Sequence, residues 1–122
     1  MAKFVNKKRN LSNTAIGTSS YDQAGTLVES ALATLTSNKG HVLIGCNVSN
    51  IHTATVTVDV ALVDDGTPDV VTYIAKAVSI PVGGNVELVD GKIVIDSDTT
   101  QIHATCSVDT GADIIVSVLE NA

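Results

Sequence analysis

The chain has no tryptophan, one phenylalanine and two tyrosines, an aromatic content of 2%. Its core must therefore be built from valine, isoleucine, leucine and alanine, the bulk of its 44% apolar residues. The same scarcity leaves no platform on which bases or sugars stack, which argues against nucleic-acid and carbohydrate binding. Cysteine is rare too. Cys46 and Cys106 make up neither a disulfide framework nor a metal ligand set. No apolar run is long enough to span a bilayer, and no glycine-rich phosphate loop precedes a helix. No apolar stretch follows the positive charge of residues 1–10, which predicts synthesis in a cytoplasm with both thiols reduced.

Positive charge is scarce everywhere but at the start. Residues 1–10 hold Lys3, Lys7, Lys8 and Arg9 and no acid. The remaining residues hold three lysines against thirteen carboxylates, a net charge of −10. Segregation of this kind reads as a basic interaction tail on an acidic body, or else as a solvated terminus. Residues 1–23 are polar and without sustained periodicity, with isolated apolar points at Phe4, Val5, Leu11 and Ile16. The predicted organisation is an extended basic arm over 1–23 and a β-sandwich domain over 24–122.

What the chain does have is β-branched residues in short runs between turn residues. Gly25 to Leu35 is ambiguous: Leu27, Val28, Ala31, Leu32 and Leu35 recur at helical spacing, yet the threonines favour a strand from about Ser30 to Thr36. Asn38-Lys39-Gly40 predicts a turn. His41 to Val48 alternates so that Val42, Ile44, Cys46 and Val48 share one face. Thr53 to Val63 places Ala54, Val56, Val58, Val60 and Leu62 inward, with Thr53, Thr55, Thr57 and Asp59 toward solvent. A further strand is expected from about Val70 to Val78, its end at Ser79-Ile80 set by Pro81, which removes a donor. Gly83-Gly84 and Asp90-Gly91 then punctuate a run to Ile95 that reads as a β-meander. Ile102, Ala104 and Cys106 share a face, and Ile114 to Glu120 is the last strand. About eight short strands at even spacing predict an all-β, antiparallel, jelly-roll-like sandwich.

Three groups of residues invite a chemical reading. Asp109-Thr110-Gly111-Ala112 is similar to the signature of retroviral-type aspartic proteases, in which two chains each give one aspartate. Only nine residues follow Asp113, too few for the flap and supporting strands, so a hairpin loop with Gly111 at its turn is the better reading. His41, His52 and His103 match no metal-site spacing, and the first and last fall on faces that look exposed. The acidic turns 64–66 and 96–98 lack the length and terminal glutamate of a calcium loop. No catalytic residue, metal or cofactor is expected.

From about Gly40 to Glu120 the order of elements resembles a group of small structural proteins of tailed-bacteriophage virions, of the marine and cyanobacterial type. The resemblance rests on Val48-Ser49-Asn50, the Thr/Val strand into Asp64-Asp65-Gly66, Ile80-Pro81 with Gly83-Gly84, Leu88-Val89-Asp90-Gly91-Lys92-Ile93, and Ser117-Val118-Leu119-Glu120. It covers about two-thirds of the chain, and the longer basic N-terminus departs from the group's pattern. It implies a non-enzymatic sandwich located on the virion, with first preference for a capsid decoration (cement) protein. Its partners would be the major capsid protein or other virion proteins, with self-association, as in a trimer, and neither nucleic acid nor membrane. Lys3, Phe4, Val5, Lys7, Lys8, Arg9, Leu11 and Ile16 would be the arm's contacts. A neck or tail accessory protein is the alternative, and a carbohydrate-binding module of a fibre the third reading.

Overall fold

The structure, a computed structural model, describes residues 3–13, 16, 41–64, 70–95 and 100–120. They form eight strands: β1 (Lys3–Asn10), β2 (His41–Asn50), β3 (Val56–Asp64), β4 (Val70–Ile80), β5 (Asn85–Glu87), β6 (Ile93–Ile95), β7 (Thr100–Cys106) and β8 (Ala112–Glu120). All pairings are antiparallel. One sheet has the order β1-β8-β2-β5, with β6 also on β2; the other has the order β4-β3-β7. Leu43, Cys46, Val48, Ile114, Val116 and Val118 from the first meet Val56, Val58, Val60, Ile80, Ile102 and Cys106 from the second in one core. The fold is an all-β sandwich, as the even spacing of short strands predicts. The expected strand over 30–36, the turn at 38–40, and the acidic turns beyond Asp64 and at 96–98 lie outside the described residues.

Connectivity departs from a meander. Only β3 and β4 are consecutive partners in one sheet; β2 to β3, β4 to β5, β6 to β7 and β7 to β8 all cross between sheets. Crossing of this kind is jelly-roll-like. β5 and β6 do not pair with each other. Both lie along β2, β5 at its C-terminal part (Val48 opposite Val86) and β6 at its N-terminal part (Val42 opposite Val94). Together they make one edge interrupted at Asp90-Gly91, where Gly91 takes a φ of 95°. The preceding turn closes through the Gly84 N–H donating to the Pro81 carbonyl at 2.9 Å, with Gly83 at φ 76°.

The sequence around Asp109 also does something other than close a hairpin. β7 belongs to one sheet and β8 to the other, so this turn is a corner between sheets. Its left-handed residue is Thr110, at φ 61°, and not Gly111. Gly111 is needed for closeness instead: a Cβ there would lie 3.0 Å from both the Val108 Cβ and its carbonyl oxygen.

Inside β2 the alternation changes phase. The register with β8 slips between Leu43 and Gly45, which leaves Ile44 as the extra residue of a bulge. Before it the odd residues His41 and Leu43 are buried; after it the even residues Cys46, Val48 and Asn50 are. Val42 and Ile44 therefore do not share the inward face with Cys46 and Val48, and His41 is not exposed. His103 is buried as well, opposite the buried Ala61. β3 starts at Val56, so Ala54 lies in the preceding bend and its carbonyl accepts from the Asn50 amide nitrogen at 2.9 Å. The predicted inward set from Val56 to Leu62 otherwise holds, with Ala61 and Val63 buried on the opposite face too.

The largest revision concerns the arm. Lys3–Asn10 pairs in unbroken register with Glu120–Asp113 as an edge strand of the first sheet. Leu11 follows it into the core at 0% exposure, its N–H donating to the Ala112 carbonyl and its carbonyl accepting from Thr110. The Ser12 carbonyl accepts from Cys106 N at 3.0 Å and from the Thr105 hydroxyl at 3.1 Å. Residues 3–13 thus tie both sheets together. They belong to the sandwich, and the boundary at 23/24 does not separate them from it.

Candidate interaction surface

Because β8 buries its even residues, its register with β1 assigns Phe4, Asn6, Lys8 and Asn10 to the outer face of the first sheet. Asn6 and Asn10 tie that face down: the Ser117 hydroxyl donates to Asn6 Oδ1, and Asn10 Nδ2 donates to Asp113 Oδ1, both at 2.8 Å. Lys8, Arg9, Asn10, Asp113, Ile114 and Ile115 line a shallow groove of about 320 Å³ here.

At the other end of the sheet the registers align four apolar residues in one row. Phe4 lies opposite Leu119, Leu119 opposite Val42, and Val42 opposite Val94. Phe4 is 75% exposed and Val94 66%, with Leu119 and Val42 half-buried between them. Ile44 and Ile115 are exposed on the same sheet. Exposed apolar residues scattered singly are ordinary, but here four stand in one row across four strands of the same face.

Of the residues expected to make contacts, Phe4 and Lys8 stand on this outer face, and Arg9 is exposed beside it. Lys3, Val5 and Lys7 occupy register positions opposite Glu120, Val118 and Val116. Leu11 is withdrawn into the core and is no external anchor. Ile16 is half-buried in a turn. Val42, Ile44, Val94, Ile115 and Leu119 escape a reading by alternation. Their signal is the unbroken apolar sequences Val42-Leu43-Ile44, Ile93-Val94-Ile95, Ile114-Ile115-Val116 and Val118-Leu119, which a strand cannot place on one face.

Cys46 and Cys106 are buried free thiols. Burial first, and the Glu87 carboxylate second, push Cys46 up to about 12, so its thiol is unreactive at neutral pH. Glu87 Oε2 accepts the Cys46 N–H, at the point where β2 is left between β5 and β6. Asp109 and Asp113 are both exposed. Among the described residues, no group of three or more His, Cys, Asp or Glu is placed to hold a metal ion. No helix among them is long and apolar enough to cross a membrane.

No protein-family model matches the chain, and no curated protein or solved structure matches it.

Proposed function

We propose that this protein is a non-enzymatic structural subunit of a tailed-bacteriophage virion, a capsid decoration protein that docks on capsid subunits through the outer face of its first sheet. The observation that carries the proposal is the row Phe4–Leu119–Val42–Val94, an apolar strip on a surface that water would otherwise wet. Such strips form the dry centre of an interface, while polar neighbours such as Asn6, Ser117 and Asn10 suit its rim. The order of turns and strands from Gly40 to Glu120 supplies the link to phage structural proteins. A jelly-roll-like sandwich agrees with it by fold-level analogy alone, since this architecture also hosts lectins and other functions.

In this reading the mode of attachment changes from the one the basic N-terminus first suggests. A loose tether is replaced by a rigid face, which loses little conformational freedom on binding. Repeated weak docking over a symmetric lattice then gives avidity.

Quantitative mass spectrometry of purified particles of the encoding phage tests the proposal. On the order of hundreds of copies per particle is expected for a lattice-binding subunit, against about a dozen for a neck or tail position. Absence from the particle would overturn the virion reading. The double variant Phe4→Ser/Val94→Ser should keep its β circular dichroism and lose particle binding.

A further inference from the structure

We infer that β1 is a strand-addition site for an extended, acidic segment of a partner protein. This deepens the assembly reading by naming the chemistry of what the subunit holds.

The described sheet edges differ in how they are protected. An open edge exposes unpaired N–H and C=O groups, and proteins blunt such edges with bulges, breaks or charge. β4 is blunted by shape: its register with β3 slips twice, and Ala77 sits at a φ of 54°. The β5/β6 edge is two three-residue strands split by a turn. β7 is covered at its C-terminal end, where the Ser12 carbonyl accepts from Cys106 N and from the Thr105 hydroxyl. β1 has no such device. Its eight residues run in uninterrupted register with β8, and among the described residues it pairs with β8 alone. Its sequence carries charge of one sign, four cations and no carboxylate.

One-sign charge is selective. Two copies pairing β1 against β1 would bring lysine-rich strands together, which like charge opposes. Nor do the other edges of a second copy suit it. β4 and β7 contain no carboxylate, and Glu87 of β5 is engaged with the Cys46 N–H. An acidic strand from a different polypeptide meets both requirements, with main-chain hydrogen bonds supplying affinity and side chains supplying choice. Phe4 and Lys8 stand four residues apart on the outer face. The preferred segment therefore carries an apolar residue and a carboxylate four positions apart on one face.

The test uses the full chain and a synthetic ten-residue peptide, blocked at both ends, with valine and glutamate at that spacing among threonines. A second peptide has lysine for glutamate. Amide hydrogen exchange followed by NMR should show the acidic peptide slowing exchange in β1 and in no other edge. Affinity should fall with added salt and drop about tenfold in Lys8→Glu, which turns an attraction into a repulsion. The lysine peptide should bind Lys8→Glu better than the wild type. Equal binding of both peptides, protection on another edge, or no protection at about 1 mM peptide would overturn the inference. Particle copy number is read separately. A particle-borne protein whose β1 ignores the peptide defeats strand addition alone, and a β1 that binds in a protein absent from particles defeats only the virion reading.

Discussion

Asp59 holds Ala77 in place. Its Oδ1 accepts the Ala77 N–H at 2.6 Å, across the point where β4 bulges away from β3. Ala77 has a φ of 54°, a left-handed conformation that costs a non-glycine residue about 1–2 kcal/mol. Lys76 flanks the pair, 3.6 Å from Asp59 Oδ2 and 4.6 Å from the centre of the Tyr73 ring. Ala77→Gly should therefore raise stability by about 0.5–1 kcal/mol, the relieved strain exceeding the added unfolded-state entropy. Asp59→Ala should lower it by about 1–2 kcal/mol, because the bulge loses a charged acceptor. Urea denaturation of both variants checks the signs.

Leu11 separates an appended arm from an integral strand. Fully buried between the two sheets, it should cost about 2–4 kcal/mol when changed to alanine. Removal of residues 1–13 should unfold the sandwich, because β8 would lose a neighbour and the core a leucine. Circular dichroism and urea midpoints measure both. A truncated protein as stable as the whole would show that β1 adds nothing to the fold.

The Thr110-Gly111 corner predicts a reversal of the usual glycine argument. Thr110→Gly should be neutral or stabilising by up to about 1 kcal/mol, since threonine is branched and sits at a φ of 61°. Gly111→Ala should destabilise by about 1–3 kcal/mol, through overpacking against Val108. Thermal melts of the two single variants decide the order.

Cys46 makes stability depend on alkaline pH. Its folded-state pKa is raised, from 9.0 to about 12, so the unfolded chain releases this proton first. The stabilisation is complete below pH 9 and is lost progressively as pH rises from there toward 12. Cys46→Ala should remove that part of the slope, read as the difference between the two proteins' urea midpoints over the range. Glu87→Gln should shift the thiol titration downward, because the nearby negative charge is gone.

Short-range chemistry accounts for what was legible before the structure. Pro81 stops β4, Gly83 and Gly91 take positive φ in turns, and alternation from Val56 to Leu62 orients β3 toward the core. These depend on a residue and its immediate neighbours. The bulge at Ile44 does not, since an inserted residue is defined only by the partner strand it fails to match. It reversed the facing of His41 and Val42 and so hid the β2 member of the apolar row from a reading by period two. β1 escapes a reading by period for a related reason. A strand at a sheet edge needs little apolar periodicity, and its lysines read as an extended interaction arm until β8 supplies a register.

By itself, then, the sequence determined that the described residues are all β, where the turns at Pro81–Gly84 and Asp90-Gly91 fall, and that the core is aliphatic and the charge divided. Those follow from backbone stereochemistry and side-chain branching, which act over a few residues. Tertiary structure decided that β5 and β6 share one edge of β2, that the Asp109 corner joins two sheets, and that the basic segment is built into the sandwich. Each of these is a pairing between residues far apart in the chain, and a hydrogen-bonded ladder has no sequence signature until both strands are in place.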